Sequence, residues 1–315
     1  MRRLPLLLTA ALLLATTACG GSDDKKDSSD TVSGLHVSGA FGSAPTVRLD
    51  KPLKVTTLHT QTITKGSGDE VKTGSKALLN LYIANGKTGK KAVSTYDRGQ
   101  PLNATMDDTQ FFPPLVKALK GTPSGTRVAF ADTVKDLYGA AGAKQIGLKT
   151  TDSLVFVVDV MSATPSNVLS KVNGSAVARP AHLPRLVTRA GKIQGFDFSK
   201  AAKQPSNKLR VITLAKGTGE QISGQKIVQM NFVGEVYGRK KPFSNSFTAP
   251  QPATFVVGGG QLIPGWDKAL QGQRVGTRLM LLVPPAEGYG KAGNPQIHVT
   301  GKSTLVFVMD ILGVG

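Results

Sequence analysis

The chain repeats itself at a fixed distance. Residues Asp136 to Val160 read DLYGAAGAKQIGLKTTDSLVFVVDV and residues Glu287 to Ile311 read EGYGKAGNPQIHVTGKSTLVFVMDI. The offset is 151 throughout, pairing Tyr138 with Tyr289, Gln145-Ile146 with Gln296-Ile297, and Leu154-Val155-Phe156 with Leu305-Val306-Phe307. Upstream it also joins Lys65-Gly66 to Lys216-Gly217, Asn80 to Asn231, Lys117-Ala118-Leu119 to Lys268-Ala269-Leu270, and Gly125-Thr126-Arg127 to Gly276-Thr277-Arg278. One register held over that distance marks a tandem duplication, so the chain must fold as two copies of one unit. The copies are expected at 51–163 and 205–315, in keeping with ~100–200 residues per domain.

Each copy reads as mostly strand. In the second, Lys226–Gly238, Pro252–Gly258, Thr277–Pro285 and Ser303–Val314 are short runs rich in Val, Ile, Leu and Phe, bounded by Gly and Pro. Only Gly265–Gln273, GWDKALQGQ, has a helical pattern, and Gly272 limits it to about two turns. The fold class expected is therefore α+β, with an antiparallel sheet curled over one short helix in each copy. The stretch Thr164–Asn207 between the copies carries seven Lys/Arg against one acidic residue, and four prolines. It reads as a basic linker over 164–204, with an edge strand at Leu183–Thr188.

The N-terminus is a targeting segment. Arg2 and Arg3 precede an apolar run from Leu4 to Ala15, which is shorter than the ~20 apolar residues a bilayer span needs. Thr16-Thr17-Ala18-Cys19 resembles a bacterial lipobox, with Thr16 where leucine is usual. That implies cleavage after residue 18 and a lipid on Cys19, the single cysteine. The expectation is a signal peptide over 1–18 and a flexible tether over 19–50, with the protein exported and anchored to the outer face of the cell membrane. With no second cysteine there is neither disulfide nor thiol chemistry in the body. The formal charge of +19 becomes 37 − 20 = +17 without Arg2 and Arg3. Export argues against nucleic acid as its partner. Anionic lipid headgroups and wall polymers, or a generally basic surface, remain.

The combination LIPGWDKAL (Leu262–Leu270), PPAEGYG (Pro284–Gly290) and TLVF (Thr304–Phe307) resembles the FKBP family of peptidyl-prolyl cis-trans isomerases across nearly all of the second copy. The first copy resembles it more weakly. The resemblance implies an apolar pocket that accepts a substrate proline ring. Trp266 is its floor, and Phe232, Phe243, Leu262, Ile263, Tyr289, Ile297 and Phe307 are its walls. Tyr289, Phe243, Trp266 and Ile263 would carry catalysis. The Ile263 N–H and the Tyr289 hydroxyl would address the substrate backbone. No metal and no cofactor is implied. The partners implied are proline-containing segments of exported proteins and macrolide FKBP ligands.

Departures from the family pattern are specific. Ser244 stands where an aspartate usually lines the pocket, Ala253 replaces an aromatic, and Asn294 replaces a histidine. In the first copy Trp266 becomes Leu115, Phe243 becomes Ala92, Ser244 becomes Val93 and Phe232 becomes Leu81, while Tyr138, Ile146 and Phe156 remain. Two readings stand: a prolyl isomerase with its catalyst in the second copy, or a non-catalytic binding protein or holdase of the cell envelope. The four histidines are scattered, and the glycine run Val256–Gln261 lacks the lysine of a phosphate loop. No serine-histidine-acid set is suggested.

Overall fold

A computed structural model describes residues 32–109, 111–139 and 148–315, all within one compact unit, Thr31–Gly315. Cys19, the expected signal peptide and Ile146 lie outside the described residues.

The duplication is visible strand by strand. The first copy contains β1 (Leu35–Ser38), β2 (Thr46–Leu49), β3 (His59–Thr64), β4 (Lys76–Asn85), β5 (Lys91–Ser94), β6 (Leu102–Thr105), α1 (Pro113–Leu119), β7 (Arg127–Thr133), α2 (Val134–Tyr138) and β8 (Ser153–Ala163). The second contains β9 (Ser175–Ala176), β10 (Arg185–Arg189), β11 (Lys192–Asp197), β12 (Arg210–Lys216), β13 (Lys226–Val236), β14 (Ser244–Asn245), β15 (Ala253–Val257), α3 (Pro264–Leu270), β16 (Arg278–Val283) and β17 (Leu305–Val314). Both main sheets are antiparallel: β3-β7-β8-β4-β5 with β6 on β4, and β14-β13-β17-β16-β12-β9 with β15 on β13. Even the irregularities repeat. The register shifts at Thr62/Thr64 and Leu78/Leu79 recur at Thr213/Ala215 and Gln229/Met230. Bulges kept at matched positions are features of the fold rather than defects.

Alternation along the strands gives each sheet two buried faces. The inner face of the second sheet carries Met230, Leu279, Leu281, Phe307 and Met309, packed with Trp266, Ala269 and Leu270 of α3. The first sheet does the same with Leu115, Val116 and Leu119 of α1. Proline opens both helices, where a missing N–H costs nothing. The copies differ after β7 and β16. Thr133 accepts a hydrogen bond from the Asp136 N–H and caps α2, whereas the second copy has only a 3-10 turn, Pro285–Glu287, followed by Gly288. The first copy thus has a second short helix.

The outer faces correct two expectations. Part of the expected tether is folded: β1 and β2 form a hairpin whose Leu35, with Val32, buries Ala129, Ala131, Val155 and Val157. Most of the expected linker is folded too. The β10–β11 hairpin and Leu183 cover Met280, Leu282, Val306 and Val308. Val32 and Leu183, like Leu35 and Leu186, are 151 apart, so the hairpin belongs to the repeated unit. Composition hid this, because a hairpin packed through one face keeps its other face polar.

The copies meet along a short seam. The Ser162 hydroxyl donates to the Gly315 carbonyl at 2.7 Å and accepts from the Ile227 N–H at 3.0 Å. Leu78, Met161, Ile227 and Val256 pack beside it.

Beneath the second hairpin lies Glu235, 1% exposed, with Oε1 unpartnered among the described residues. Burial pushes its carboxyl up from the ordinary 4.5 to about 7, opposed by the Phe196 N–H. The folded state therefore binds the proton more tightly than the unfolded chain, and stability falls as pH rises from 4.5 through about 7. Glu235→Gln should raise stability at pH 8 by about 2 kcal/mol and change little at pH 4.5. Denaturant unfolding at the two pH values measures this; an equal effect at both would mean the carboxylate is solvated.

Candidate functional site

The site is built where α3 starts. Ile263 is its N-cap in an extended conformation (φ −60°, ψ 142°), and its carbonyl accepts from the Trp266 N–H at 2.9 Å. The Ile263 N–H has no intramolecular partner among the described residues, as expected for a donor ahead of a helix. The preceding glycine turn is tied down by Asp267, which accepts from the Gly258 N–H at 2.8 Å and the Gly260 N–H at 3.2 Å. Both glycines have positive φ. A carboxylate in the first turn thus holds the loop that carries Leu262 and Ile263.

Trp266 is 5% exposed. Three rings meet it edge to face: Phe232 at 5.0 Å, Phe255 at 5.3 Å and Phe307 at 5.1 Å. Its Nε1 has no hydrogen-bond acceptor among the described residues. The indole is held by quadrupole-matched ring contacts, worth about 0.5–1.5 kcal/mol each beyond area burial. Phe243 sits edge-on to Phe307 at 5.8 Å.

The structure gathers Phe232, Phe243, Leu262, Ile263, Tyr289, Ile297 and Phe307 around Trp266, all but Phe307 half-exposed. Tyr289 is approached through the Pro285–Glu287 turn, which is pinned to α3 by the pair Lys268 Nζ–Glu287 Oε1 at 2.7 Å. Burial pushes the Tyr289 phenol up, with the Asn294 amide opposing, so the hydroxyl remains a hydrogen-bond donor. Asn294 also caps the Pro295–Ile297 turn, accepting from the Gln296 N–H, and so places Ile297. Ser244 directly follows Phe243 of this cluster in the chain. It pairs with Gly234 through the β13–β14 ladder, half-exposed.

Three site residues were not anticipated. Phe255 lies two positions beyond Ala253 on the same strand face, and strand alternation in PATFVVG was the signal available. Asp267 had no distinguishing signal beyond its place in the first helical turn. Gly234 interrupts the β13 run Lys226–Val236, and the reason is steric. A Cβ there would lie 2.6 Å from Phe307 Cε1 and 2.8 Å from Phe243 Cε2 and Cζ. Gly234 is thus the cradle for both rings.

The first copy lacks this cradle. Its counterpart of Gly234 is Ile83, packed with Leu81, Phe111 and Phe112 on the cluster around Leu115. Phe112, at the position of Ile263, lies 5.7 Å from Phe156, which itself stacks on Phe130 at 4.6 Å. Ile83 and Phe112 thus stand where the second copy has Gly234 and Ile263.

Among the described residues no group of three His, Cys, Asp or Glu could hold a metal ion. An antiparallel sheet, a short helix and a cluster of rings around Trp266, beside a backbone N–H without a partner among the described residues, make up the site. The family model described as FKBP-type peptidyl-prolyl cis-trans isomerase matches residues 65–161 and 218–312. The chain belongs to that family, in tandem. Its relatives include the FK506-binding protein of Streptomyces anulatus, 31% identical over 111 residues that cover 35% of this chain and 90% of the relative. FK506-binding protein 2B of Rhizopus delemar is 33% identical over 119 residues, 36% of this chain and 56% of its own length. FkpA of Escherichia coli K12 is 35% identical over 119 residues, covering 38% and 42%. The chain thus spans about half the length of the Rhizopus and Escherichia relatives. The solved structure of Escherichia coli FkpA superposes with a TM-score of 0.31, covering 36% of this chain and 50% of that one.

The cradle is testable. Gly234→Ala should displace Phe243 or Phe307 and weaken binding of a macrolide FKBP ligand by about tenfold or more, while costing about 1–3 kcal/mol of stability by overpacking. Titration followed by Trp266 fluorescence measures the first; unchanged affinity would place the ligand away from these rings.

Proposed function

We propose that the second copy is a peptidyl-prolyl cis-trans isomerase acting on proline-containing segments of exported or envelope proteins. The observation that carries this reading is the Trp266 floor ringed by Phe232, Phe243, Ile263 and Tyr289. An X-Pro amide rotates slowly because resonance gives its C–N bond partial double-bond character, with a barrier of ~18–20 kcal/mol. The planar amide is more dipolar than the twisted one. A water-poor aromatic pocket therefore disfavours the ground state more than the transition state. The Ile263 N–H, and the Tyr289 hydroxyl hydrogen while its oxygen accepts from the Asn294 amide, can hold substrate carbonyls while the amide turns. A reduction of ~4 kcal/mol would accelerate rotation about a thousandfold.

Trp266→Leu, which installs the residue the first copy has at Leu115, should return cis/trans relaxation of a short X-Pro peptide to the spontaneous rate. Circular dichroism would establish that the variant is folded. Retained acceleration by a folded variant would move the catalyst elsewhere.

A second reading is favoured by Ser244, which supplies no carboxylate at the pocket, and by the filled first copy. On this reading both copies are binding modules, and the protein acts as a holdase. A macrolide ligand that shifts Trp266 emission without any acceleration of relaxation by the protein would select it.

The proposal extends to location. Cys19 within TTAC, followed by the polar stretch Gly20–Asp30, supports a lipid anchor on the outer face of the membrane. Cys19→Ala should move the protein from the membrane to the soluble fraction. Membrane retention of that variant would assign the attachment to the basic surface instead.

A further inference from the structure

The outer faces of the two sheets carry the same ion pair in two different states. In the first copy Arg127 and Asp159 are both fully buried. Arg127 Nε donates to Asp159 Oδ1 at 2.6 Å and Nη2 to Oδ2 at 2.8 Å. The remaining valences are satisfied by the loop 39–45 between β1 and β2. Arg127 Nη1 donates to the Gly39 carbonyl at 2.7 Å and Nη2 to the Ser43 carbonyl at 2.6 Å. The Gly42 N–H donates to Asp159 Oδ2 at 2.6 Å. The Tyr96 hydroxyl donates to the same oxygen at 2.6 Å. Three of these four contacts are to backbone, and Gly39 and Gly42 both have positive φ. The pair reads the main chain of a glycine turn.

In the second copy, Arg278 Nε and Nη2 bind Asp310 Oδ1 and Oδ2, each at 2.6 Å. The capping groups are missing. Seven residues, 39–45, join β1 to β2, but only Ala190 and Gly191 join β10 to β11. Phe247 stands at the position of Tyr96 and has no hydroxyl. A cavity of about 440 Å³ results, lined by Gly191, Asn231, Phe247, Arg278 and Asp310 among others, within the size range of ligand sites. Three groups in it lack what their counterparts have. Arg278 Nη1 has no acceptor among the described residues, and Asp310 has no donor beyond its arginine. Asn231 Oδ1 is buried without a partner, whereas Asn80 Oδ1 accepts from Thr95 at 3.1 Å. Asn231 Oδ1 is buried unmatched, while the Arg278 side chain is 27% exposed and that of Asp310 4%, so a ligand that supplies the missing hydrogen bonds gains most at Asn231 and Asp310.

We propose that the Arg278–Asp310 cavity is a second peptide site of the second copy, separate from the Trp266 pocket. It takes a glycine-containing turn of another polypeptide. A turn carbonyl accepts from Arg278 Nη1, and turn N–H groups donate to Asp310 Oδ2 and Asn231 Oδ1, as loop 39–45 does at Arg127 and Asp159. Recognition through the main chain makes the site tolerant of side-chain sequence. Lys171 and Lys192 at the rim favour acidic flanks.

The test uses the chain labelled with nitrogen-15 arginine and a peptide of residues 35–49 closed by a disulfide between added terminal cysteines. Titration should give a saturable shift of the Arg278 Nε–H signal while Arg127, already capped, stays still. Replacing Ala190-Gly191 with the seven residues of loop 39–45 should abolish the Arg278 response, raise Tm, and leave macrolide binding at Trp266 unchanged. Should that graft misfold, Asp310→Asn keeps the shape and should weaken the peptide about tenfold by removing a charged acceptor. No Arg278 response at about 1 mM peptide, a response at Arg127 alone, or equal binding by the graft or by Asp310→Asn would overturn the proposal.

Discussion

A helix of seven residues has no stability of its own in water, because nucleation costs more than so few hydrogen bonds return. Both α1 and α3 are that short. They exist because the inner face of a sheet needs cover, and the sheet needs them because strands buried on one side only would leave Met230, Leu279 and Leu281 wet. This mutual dependence gives one helical position unusual leverage. The residue two places after the opening proline points into the middle of the sheet. As Leu115 it is one more core side chain; as Trp266 it reaches far enough to organise Phe232, Phe255 and Phe307. The site is thus a variation in how a required core is closed.

The complementary change is made across the sheet. Gly234 removes a side chain so that Phe243 and Phe307 can lie over the backbone, while Ile83 at the matched position fills that volume directly. The two copies thus share a fold and a register but not the packing around this position.

Much of this was legible in the sequence, for identifiable reasons. The strands of the second copy, the helix after Leu262-Ile263 and the ring of pocket residues are set by local pattern and by a motif contiguous over Leu262–Leu270, and the structure brings those residues together. The hairpins β1–β2 and β10–β11 were not legible as parts of the repeat. Their connecting turns differ in length, so the constant offset is broken there, and their half-polar strands read as tether and linker. Asp267 and Gly234 were missed for another reason: each acts on groups that only tertiary structure places beside it, the Gly258 and Gly260 amides for one and two distant rings for the other. Ser244 is held on the two-residue strand β14, opposite Gly234.

Two adjacent sheets with matched strand order and matched bulges carry a hazard of their own, the exchange of equivalent strands during folding. The cradle at Gly234 bears on it. Were β4 to enter the second sheet in place of β13, it would bring Ile83 to a place where even a single Cβ falls 2.6 Å from Phe307. In the reverse exchange Gly234 would leave the first core without the Ile83 side chain that packs on it. The divergence at this one position therefore makes each strand a poor substitute for its twin, and sorts a duplicated chain into its two proper halves.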